Sequence, residues 1–336
     1  MIKGILIYDK NRYGKNKWFA ESIIAQGRLE GLSIDLILLE DEKDTEGFFK
    51  RIKEPEFAWN FCFAIMRIAN PKISEYFEAR GKIVFNKARV SKIANDKFST
   101  YIFFKYFFQK SIGLEEKKLE NPENYHQIKE NFDENQSFLI ASGGKNPNFM
   151  PTWELPNFLT ILDREAGTGR RGFFVVKSRT GHGGSQVYKI DGIENLGKFS
   201  NSLINKGFKL EDYIVQEMAD EVGKDLRIYM LGDRIIASVL RSSDTDFRSN
   251  YSLGGKIQIY ELDEELEALA KLIQSHLKSD LIGIDFIRNK GRWVLNEIED
   301  VVGLRSIYRL YDFDPVKKYI LHIKKKLKDL DKEEKK

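Results

Sequence analysis

The chain has 336 residues, of which 42% are apolar, so it is long enough to bury a core in two or three domains. Its 55 Lys and Arg residues against 51 Asp and Glu residues leave a formal charge of +4, which is too weak and too diffuse to indicate nucleic-acid binding. The single cysteine, Cys62, excludes a disulfide framework, and the short apolar run at the N-terminus is typical of neither a signal peptide nor a membrane span. We therefore expect a globular protein of the cytoplasm without a membrane partner.

The first 85 residues alternate strand and helix patterns. Apolar runs at residues 2–8 and 33–39 flank a helical pattern at residues 17–31. Such alternation predicts a small α/β domain whose parallel sheet is covered on both faces. No GxGxxG follows the first strand, so the dinucleotide-binding fingerprint is absent.

A helical segment rich in aromatic residues, 88–108, is predicted to join this domain to the next. Asn95, Asp96 and Lys97 interrupt its pattern. Lys97 is either a solvated side chain or a cation directed at a phosphate. The polar stretch that follows, residues 110–148, contains Asn-Pro twice and Gly143-Gly144, and we interpret it as an irregular insertion.

A strand pattern at residues 172–177 ends in Lys177 and leads into a glycine-rich stretch, TGHGGS, at residues 180–185. Glycine has no Cβ, so the N–H groups of such a loop can approach phosphate oxygens, and Lys177 would add a positive charge. A plain β-hairpin loop is the alternative. The stretch is not the Walker pattern, because no GK[ST] follows.

Further strands are predicted at residues 213–218, 225–230 and 234–240, and an amphipathic helix at 262–278. Between them lies the polar segment DFRSN, residues 246–250. Arg248 and Asn250 could donate hydrogen bonds to a phosphate or a carboxylate, with a solvated turn as the alternative.

Residues 283–299, GIDFIRNKGRWVLNEIE, read as two strands joined by a polar turn. Glu297 and Glu299 share one strand face, and the hairpin can bring Asp285 opposite them. Three carboxylates without a cation would repel one another, so the pattern favours a shared hard ion such as Mg²⁺. A solvent-facing acidic strip is the alternative, although apolar neighbours flank Asp285 and Glu297.

Five blocks in this order resemble the ATP-grasp superfamily and, within it, the RimK-like α-L-glutamate ligases. They are FNKARVSKIANDK (85–97), FFVVKSRTGHGGSQV (173–187), YIVQEM (213–218) with KDLRIYMLGDRIIAS (224–238), TDFRSNYSLGG (245–255), and GIDFIR with WVLNEIE (283–299). The resemblance implies an α/β (α+β) ATP-grasp fold. It divides the chain into an N-terminal parallel-sheet domain (1–85), a central part with the linking helix, insertion and glycine-loop lid (86–212), a C-terminal mainly antiparallel-sheet domain (213–325) and a charged tail (326–336).

The resemblance also implies a role for each matching residue, with ATP and Mg²⁺ as cofactors and Mn²⁺ as an alternative metal. Residues expected to contact ATP are Lys97, Lys177, Gly181, Gly183, Gly184, Ser185, Gln216, Glu217, Met218, Asp225, Arg248, Ser249 and Asn250. Lys177 and Arg248 would also take part in catalysis, and Asp285, Glu297 and Glu299 would bind the metal. The family usually has Asn where this chain has Glu299.

The implied reaction joins a carboxylate to an amine through an acyl phosphate, on a small-molecule, peptide or protein substrate. Arg305 follows the strand that ends at Glu299 and is a candidate for binding a substrate carboxylate, with a surface salt bridge as the alternative. A kinase that uses the same ATP site and a nucleotide-binding scaffold without catalysis are the competing functions. Family members are often oligomers, so a homo-oligomer is also an expectation.

Overall fold

The computed structural model describes residues 1–41, 43–53, 60–111, 149–164, 172–181, 186–243 and 255–333. The N-terminal part is a four-stranded parallel sheet with helices in its connections, as the alternating pattern predicts. Its elements are β1 (Ile2–Asp9), α1 (Lys10–Leu29), β2 (Leu32–Leu39), α2 (Thr45–Arg51), β3 (Phe63–Met66), α3 (Pro71–Glu78) and β4 (Ile83–Phe85), with strand order β2-β1-β3-β4. The carboxyl ends of these strands face the rest of the chain, where ligands of such sheets bind.

Two helices, not one, connect this sheet to the rest of the protein. They are α4 (Ala88–Ala94) and α5 (Lys97–Ser111), so the prediction of one continuous helix over residues 88–108 is wrong. The reason is local: Asn95 ends α4, and the Asp96 carboxylate accepts from the backbone N–H of Phe98 at 2.9 Å and of Ser99 at 3.3 Å. This capping geometry starts a new helix at Lys97.

A second four-stranded sheet is antiparallel and carries the ends of the glycine-rich stretch. It is built from β5 (Trp153–Glu154), α6 (Leu155–Arg164), β6 (Phe173–Ser178), β7 (Val187–Asp191), α7 (Gly192–Asn205) and β8 (Tyr213–Glu217), with strand order β5-β8-β6-β7. Its buried core includes Phe158, Phe174 and Leu196. The strand β8 pairs with β6, although the predicted division places its residues in the C-terminal domain.

A five-stranded antiparallel sheet forms the largest part of the structure. Its strands are β9 (Glu221–Leu231), β10 (Arg234–Ser242), β11 (Lys256–Ile259), β12 (Leu281–Asn289) and β13 (Arg292–Glu299), in the order β11-β10-β9-β12-β13. Three helices belong to the same part of the chain: α8 (Glu264–Leu277), α9 (Arg305–Leu310) and α10 (Pro315–Glu333). Along β9, Ile228 and Met230 join the core that includes α5 and α8, whereas Tyr229 and Leu231 join the core that includes α1 and α10. Both faces are therefore buried, except where polar residues open the cleft described below.

The predicted β12–β13 hairpin is present, with one irregularity. Asp285 pairs with Glu297 and Phe286 pairs with Leu295, so Asn296 is an extra residue in a β-bulge. Over the ranges described above, no helix combines the length and the apolar composition needed to cross a membrane.

Candidate active site

A cleft of about 390 Å³ lies between the second sheet and the five-stranded sheet. Charged and polar side chains from β6, β9, β10 and β13 line it, together with the segment after β8 and the first turn of α5. Its lining includes Lys97, Lys177, Gly181, Gln216, Glu217, Met218, Asp225, Arg227, Arg241, Asn296, Glu297, Glu299 and Arg305. The structure thus brings most of the described residues predicted to contact ATP into one cleft.

Two lysines, which we call the lysine pair, meet at one end of this cleft. The Nζ atom of Lys177 donates to Oδ1 of Asn296 at 2.9 Å. The Nζ atom of Lys97 donates to the carbonyl of Gly181 at 2.6 Å and lies 3.7 Å from Oε2 of Glu297. Burial lowers the pKa of Lys177 to about 8, and the charge of Lys97 acts in the same direction while Glu297 opposes it. Neither of the amino groups is fully neutralised, which suits a polyanion.

Four buried residues of alternating charge form a second group, which we call the arginine network. Its members are Asp225, Arg227, Arg241 and Asp285. Arg227 donates to both oxygens of Asp285, from Nε at 2.7 Å and from Nη2 at 2.6 Å. Arg241 donates from Nη2 to Asp285 at 2.8 Å and also binds both oxygens of Asp225. Burial alone would raise the pKa of Asp285, but the two arginines lower it to about 2.

The structure does not arrange Asp285, Glu297 and Glu299 as one open cluster of three carboxylates. Asp285 is 1% exposed and accepts three bonds from guanidinium groups, and Glu299 lies 2.5 Å from Nη1 of Arg227. Within the described part of the chain, no group of three or more His, Cys, Asp or Glu residues is arranged to hold a metal ion. The structural reason is Arg227, which stands opposite Asp285 on the neighbouring strand.

Glu297 and Glu299 still fit a magnesium site. Their side chains are 31% and 28% exposed and line the cleft, and Mg²⁺ is commonly held by one or two carboxylates together with substrate phosphates. The chemistry of the cleft therefore suits a triphosphate at the lysine pair with a hard cation at these two glutamates.

The end of β8 and the residue that follows it, Met218, form a mixed polar and apolar wall of the cleft. Gln216 is buried and donates from Nε2 to Oγ1 of Thr152 at 2.8 Å, and the Met218 N–H donates to the carbonyl of Phe173 at 2.9 Å. Met218, Val175 and Val187 all line the cleft. Such a wall is suited to the flat face of an adenine ring.

Arg305 lies at the edge of the cleft, where α9 meets α1. Its Nη2 atom donates to the carbonyl of Lys15 and to Oδ1 of Asn16 at 3.2 Å. Both of these acceptors are neutral. Among the described residues, Arg305 therefore does not form the surface salt bridge that was the alternative. A cation without an acidic partner beside a cleft can bind a carboxylate.

Several predicted residues cannot be placed. Gly183, Gly184 and Ser185, and likewise Arg248, Ser249 and Asn250, lie outside the described residues. Their roles stay predictions.

Sequence reasoning missed Arg227, Arg241 and Asn296. One signal was present. Asp225 and Arg227 are two apart in a strand, and the residues that alternate with them, Leu226 and Ile228, are apolar and buried. Charged residues that alternate with core residues point to a common polar face. Asn296 gave no such signal, because its position depends on the bulge.

Comparison with protein families and with known proteins places these features in context. A family model described as a RimK-like ATP-grasp domain matches residues 168–323. The chain is 24% identical over 311 residues to "Uncharacterized protein MG011 homolog" of Mycoplasma pneumoniae, covering 92% of this chain and 87% of that protein. It is 28% identical over 149 residues to "Alpha-aminoadipate--LysW ligase LysX" of Saccharolobus solfataricus, covering 44% of this chain and 54% of that one.

The fold also resembles solved structures. One is the D-alanine--D-alanine ligase from Bacillus anthracis complexed with ATP, with a TM-score of 0.60 at 13% identity, covering 91% of this chain and 89% of that one. At this identity the similarity concerns the fold alone.

Proposed function

We propose that this chain, which carries a RimK-like ATP-grasp domain at residues 168–323, joins a carboxylate to an amine at the expense of ATP. The ATP-grasp fold and the ligase class predicted from the sequence are confirmed by the family match, by the ligases among the relatives and by the shared fold. The substrates and the roles of single residues belong to the proposal.

The observation that carries the proposal is the meeting of the lysine pair with Glu297 and Glu299 in one cleft. Lys97 and Lys177 would hold the phosphates of ATP, and the two glutamates would hold Mg²⁺. The segment Gln216 to Met218 would lie against adenine. Bound Mg²⁺ would supply charge neutralisation for phosphoryl transfer.

The chain's own residues would act mainly by position and charge. A substrate carboxylate attacks the terminal phosphorus, ADP leaves, and an amine then displaces phosphate from the acyl phosphate to form the amide. Lys177 carries a buried amino group whose charge can offset the charge that spreads over the transferred oxygens. Arg227 faces the same cleft from β9 and is held rigidly by Asp285, so it needs no reorganisation to present its charge.

Arg305 would bind the carboxylate of one substrate, because it borders the cleft with neutral partners. Arg248, Ser249 and Asn250 would contact the terminal phosphate and the acyl group, as the family resemblance implies. The substrate pair would be an amino acid with a small-molecule, peptide or protein acceptor. In steady-state kinetics, Arg305→Ala should raise the KM for one substrate, and an unchanged KM for both would remove Arg305 from the proposal.

A product screen tests the reaction. Wild-type protein is incubated with ATP, MgCl₂, amino acids and candidate carboxylates, and amide products and ADP are measured by mass spectrometry. Glu297→Gln should abolish product, whereas Glu267→Gln, an exposed glutamate on α8, should not. Equal product from Glu297→Gln would contradict the proposed metal site, and ADP without any amide would favour a kinase.

A further inference from the structure

A buried polar cluster lies where β13 ends, and one of its members, Asn95, also lines the cleft. Asp300, the residue after Glu299, is 3% exposed. Its Oδ1 atom accepts from Nδ2 of Asn86 at 2.7 Å, and its Oδ2 atom accepts from Nδ2 of Asn95 at 3.1 Å. One carboxylate therefore joins the end of the β12–β13 hairpin to two segments that are over 200 residues away in sequence.

Asn86 links the cluster to the N-terminal sheet. It follows β4 and uses its whole amide group: Oδ1 accepts from the backbone N–H groups of Asp280 and Leu281, and Nδ2 donates to the carbonyl of Leu281 at 2.8 Å as well as to Asp300. Arg67, which follows β3, adds a second tie by donating to the carbonyl of Val302 at 2.8 Å. The start of β12 and the end of β13 are thus both fixed to the N-terminal sheet.

Asn95 links the cluster to the lysine pair. It ends α4 and stands two residues before Lys97, and its Nδ2 atom donates to Oγ of Ser91 at 2.8 Å and to Asp300. Because a carboxylate accepts, the contact with Asp300 orients the amide, and its Oδ1 atom is left buried without a hydrogen-bond partner among the described residues. An acceptor that is buried without a partner is costly, and functional sites are one of the places where proteins keep such groups.

We propose that Asp300 is a positioning residue of the nucleotide cleft, which sets Lys97 at its distance from Glu297 by fixing the turn between α4 and α5 to the end of β13. The inference rests on the proposed function, since it assigns Lys97 and Glu297 to the nucleotide and its metal. Lys97 Nζ lies 3.7 Å from Oε2 of Glu297, and the two residues come from different parts of the fold. The hydrogen bond between the side chains of Asn95 and Asp300 directly connects the segment that carries Lys97 with the segment that carries Glu297.

The test is a double-mutant cycle on nucleotide binding, measured by calorimetry with a non-hydrolysable ATP analogue and MgCl₂. Asp300→Ala should weaken binding about tenfold, the usual size of effect when a residue that orients a ligand-binding group is removed. If Asp300 acts through Lys97, the double variant Asp300→Ala/Lys97→Ala should bind no more weakly than Lys97→Ala alone. Losses that multiply would overturn the proposal, because a general structural defect is independent of Lys97.

Two further variants keep the result interpretable. Asn95→Ala removes only one side of the cluster and leaves the Asn86–Asp300 bond, so it should fold even if Asp300→Ala does not, and it should show the same non-additivity with Lys97→Ala. Gln274→Ala is the matched control: Gln274 is equally buried and hydrogen-bonded to Ser279, but it lies in α8 outside the cleft. It should lower the melting temperature without changing nucleotide affinity.

The two proposals fail in different ways. If wild-type protein binds no nucleotide, the proposed function fails and this inference with it. If wild-type protein binds and Asn95→Ala and Asp300→Ala bind equally well, only the positioning role of Asp300 is refuted.

Discussion

The two lysines and the two arginines of the cleft carry the same charge but are held in opposite ways. Arg227 and Arg241 are paired with buried carboxylates through short bonds from each guanidinium group. Lys177 donates to a neutral amide, and Lys97 donates to a carbonyl and lies at a longer distance from Glu297. The comparison teaches that a cation bound to buried carboxylates is fixed in place, whereas a cation with few acidic partners can move to bind a ligand.

The largest effect is expected from breaking the arginine network. Asp285→Asn removes the charge that compensates Arg227 and Arg241, and breaking a buried ion pair costs about 3–5 kcal/mol. Urea unfolding of the protein without ligand should show this loss, whereas Glu267→Gln on exposed α8 should leave the midpoint unchanged. A stability equal to wild type would mean that the arginines are not held by Asp285.

A similar change at the lysine pair should affect binding instead of stability. Lys177→Met removes a charge whose burial is unfavourable, so the free energy of unfolding should not fall. Nucleotide affinity should fall tenfold or more, since a hydrogen bond to a charged group contributes about 1.5–3 kcal/mol. Calorimetry with the ATP analogue measures it, and a loss of stability without a loss of affinity would reverse the comparison.

Gly283 offers a milder test of the arginine network. A Cβ atom there would lie 2.9 Å from Cγ2 of Val302 and 3.1 Å from Cδ of Arg227, so Gly283→Ala should displace Arg227. We expect a loss of about 1–3 kcal/mol, as for other overpacked sites. Gly291→Ala is not a suitable control, because Gly291 has a φ of +74°. Gly197→Ala in α7, where a Cβ meets nothing within 4 Å, is suitable and should not destabilise the protein.

The smallest expected effect is the protonation of Lys177 when nucleotide binds. Lys177 has a pKa of about 8 in the protein without ligand, and bound phosphates favour its charged form. Nucleotide binding at pH 8 should therefore take up about half a proton, and affinity should fall as the pH rises above that value. Calorimetry in HEPES and Tris buffers, which differ in ionisation heat and contain no phosphate, measures the uptake, which Lys177→Met should abolish; equal heats in both buffers for wild type would contradict the lowered pKa.

The sequence predicts much of the fold because its signals are local. Continuous apolar runs identify β1 and β6, alternating apolar residues identify the β12–β13 hairpin, and the lysine near the end of β6 is Lys177. The break between α4 and α5 was visible as an interruption at Asn95 and Asp96, but only the capping bonds of Asp96 show that it separates two helices.

The rest depends on neighbours across strands, which no single sequence reveals. Asp285 was predicted to bind metal because the hairpin can bring it opposite Glu297 and Glu299, whereas in the sheet Arg227 of β9 stands on its other side. The contacts of Asp300 likewise connect the end of β13 with Asn86, which follows β4, and with Asn95, which follows α4. Such pairings follow from strand order and register, not from spacing along the chain.

The bulge at Asn296 adds one residue to β13 without changing which residues face the core. Asp285 pairs with Glu297 and Phe286 with Leu295, so a hairpin that lacked Asn296 would keep Glu297 and Glu299 on the cleft side and Leu295 and Ile298 in the core. Such a shortened hairpin would lose the amide oxygen that accepts from Lys177, and the extra residue therefore serves the cleft and not the packing of the sheet.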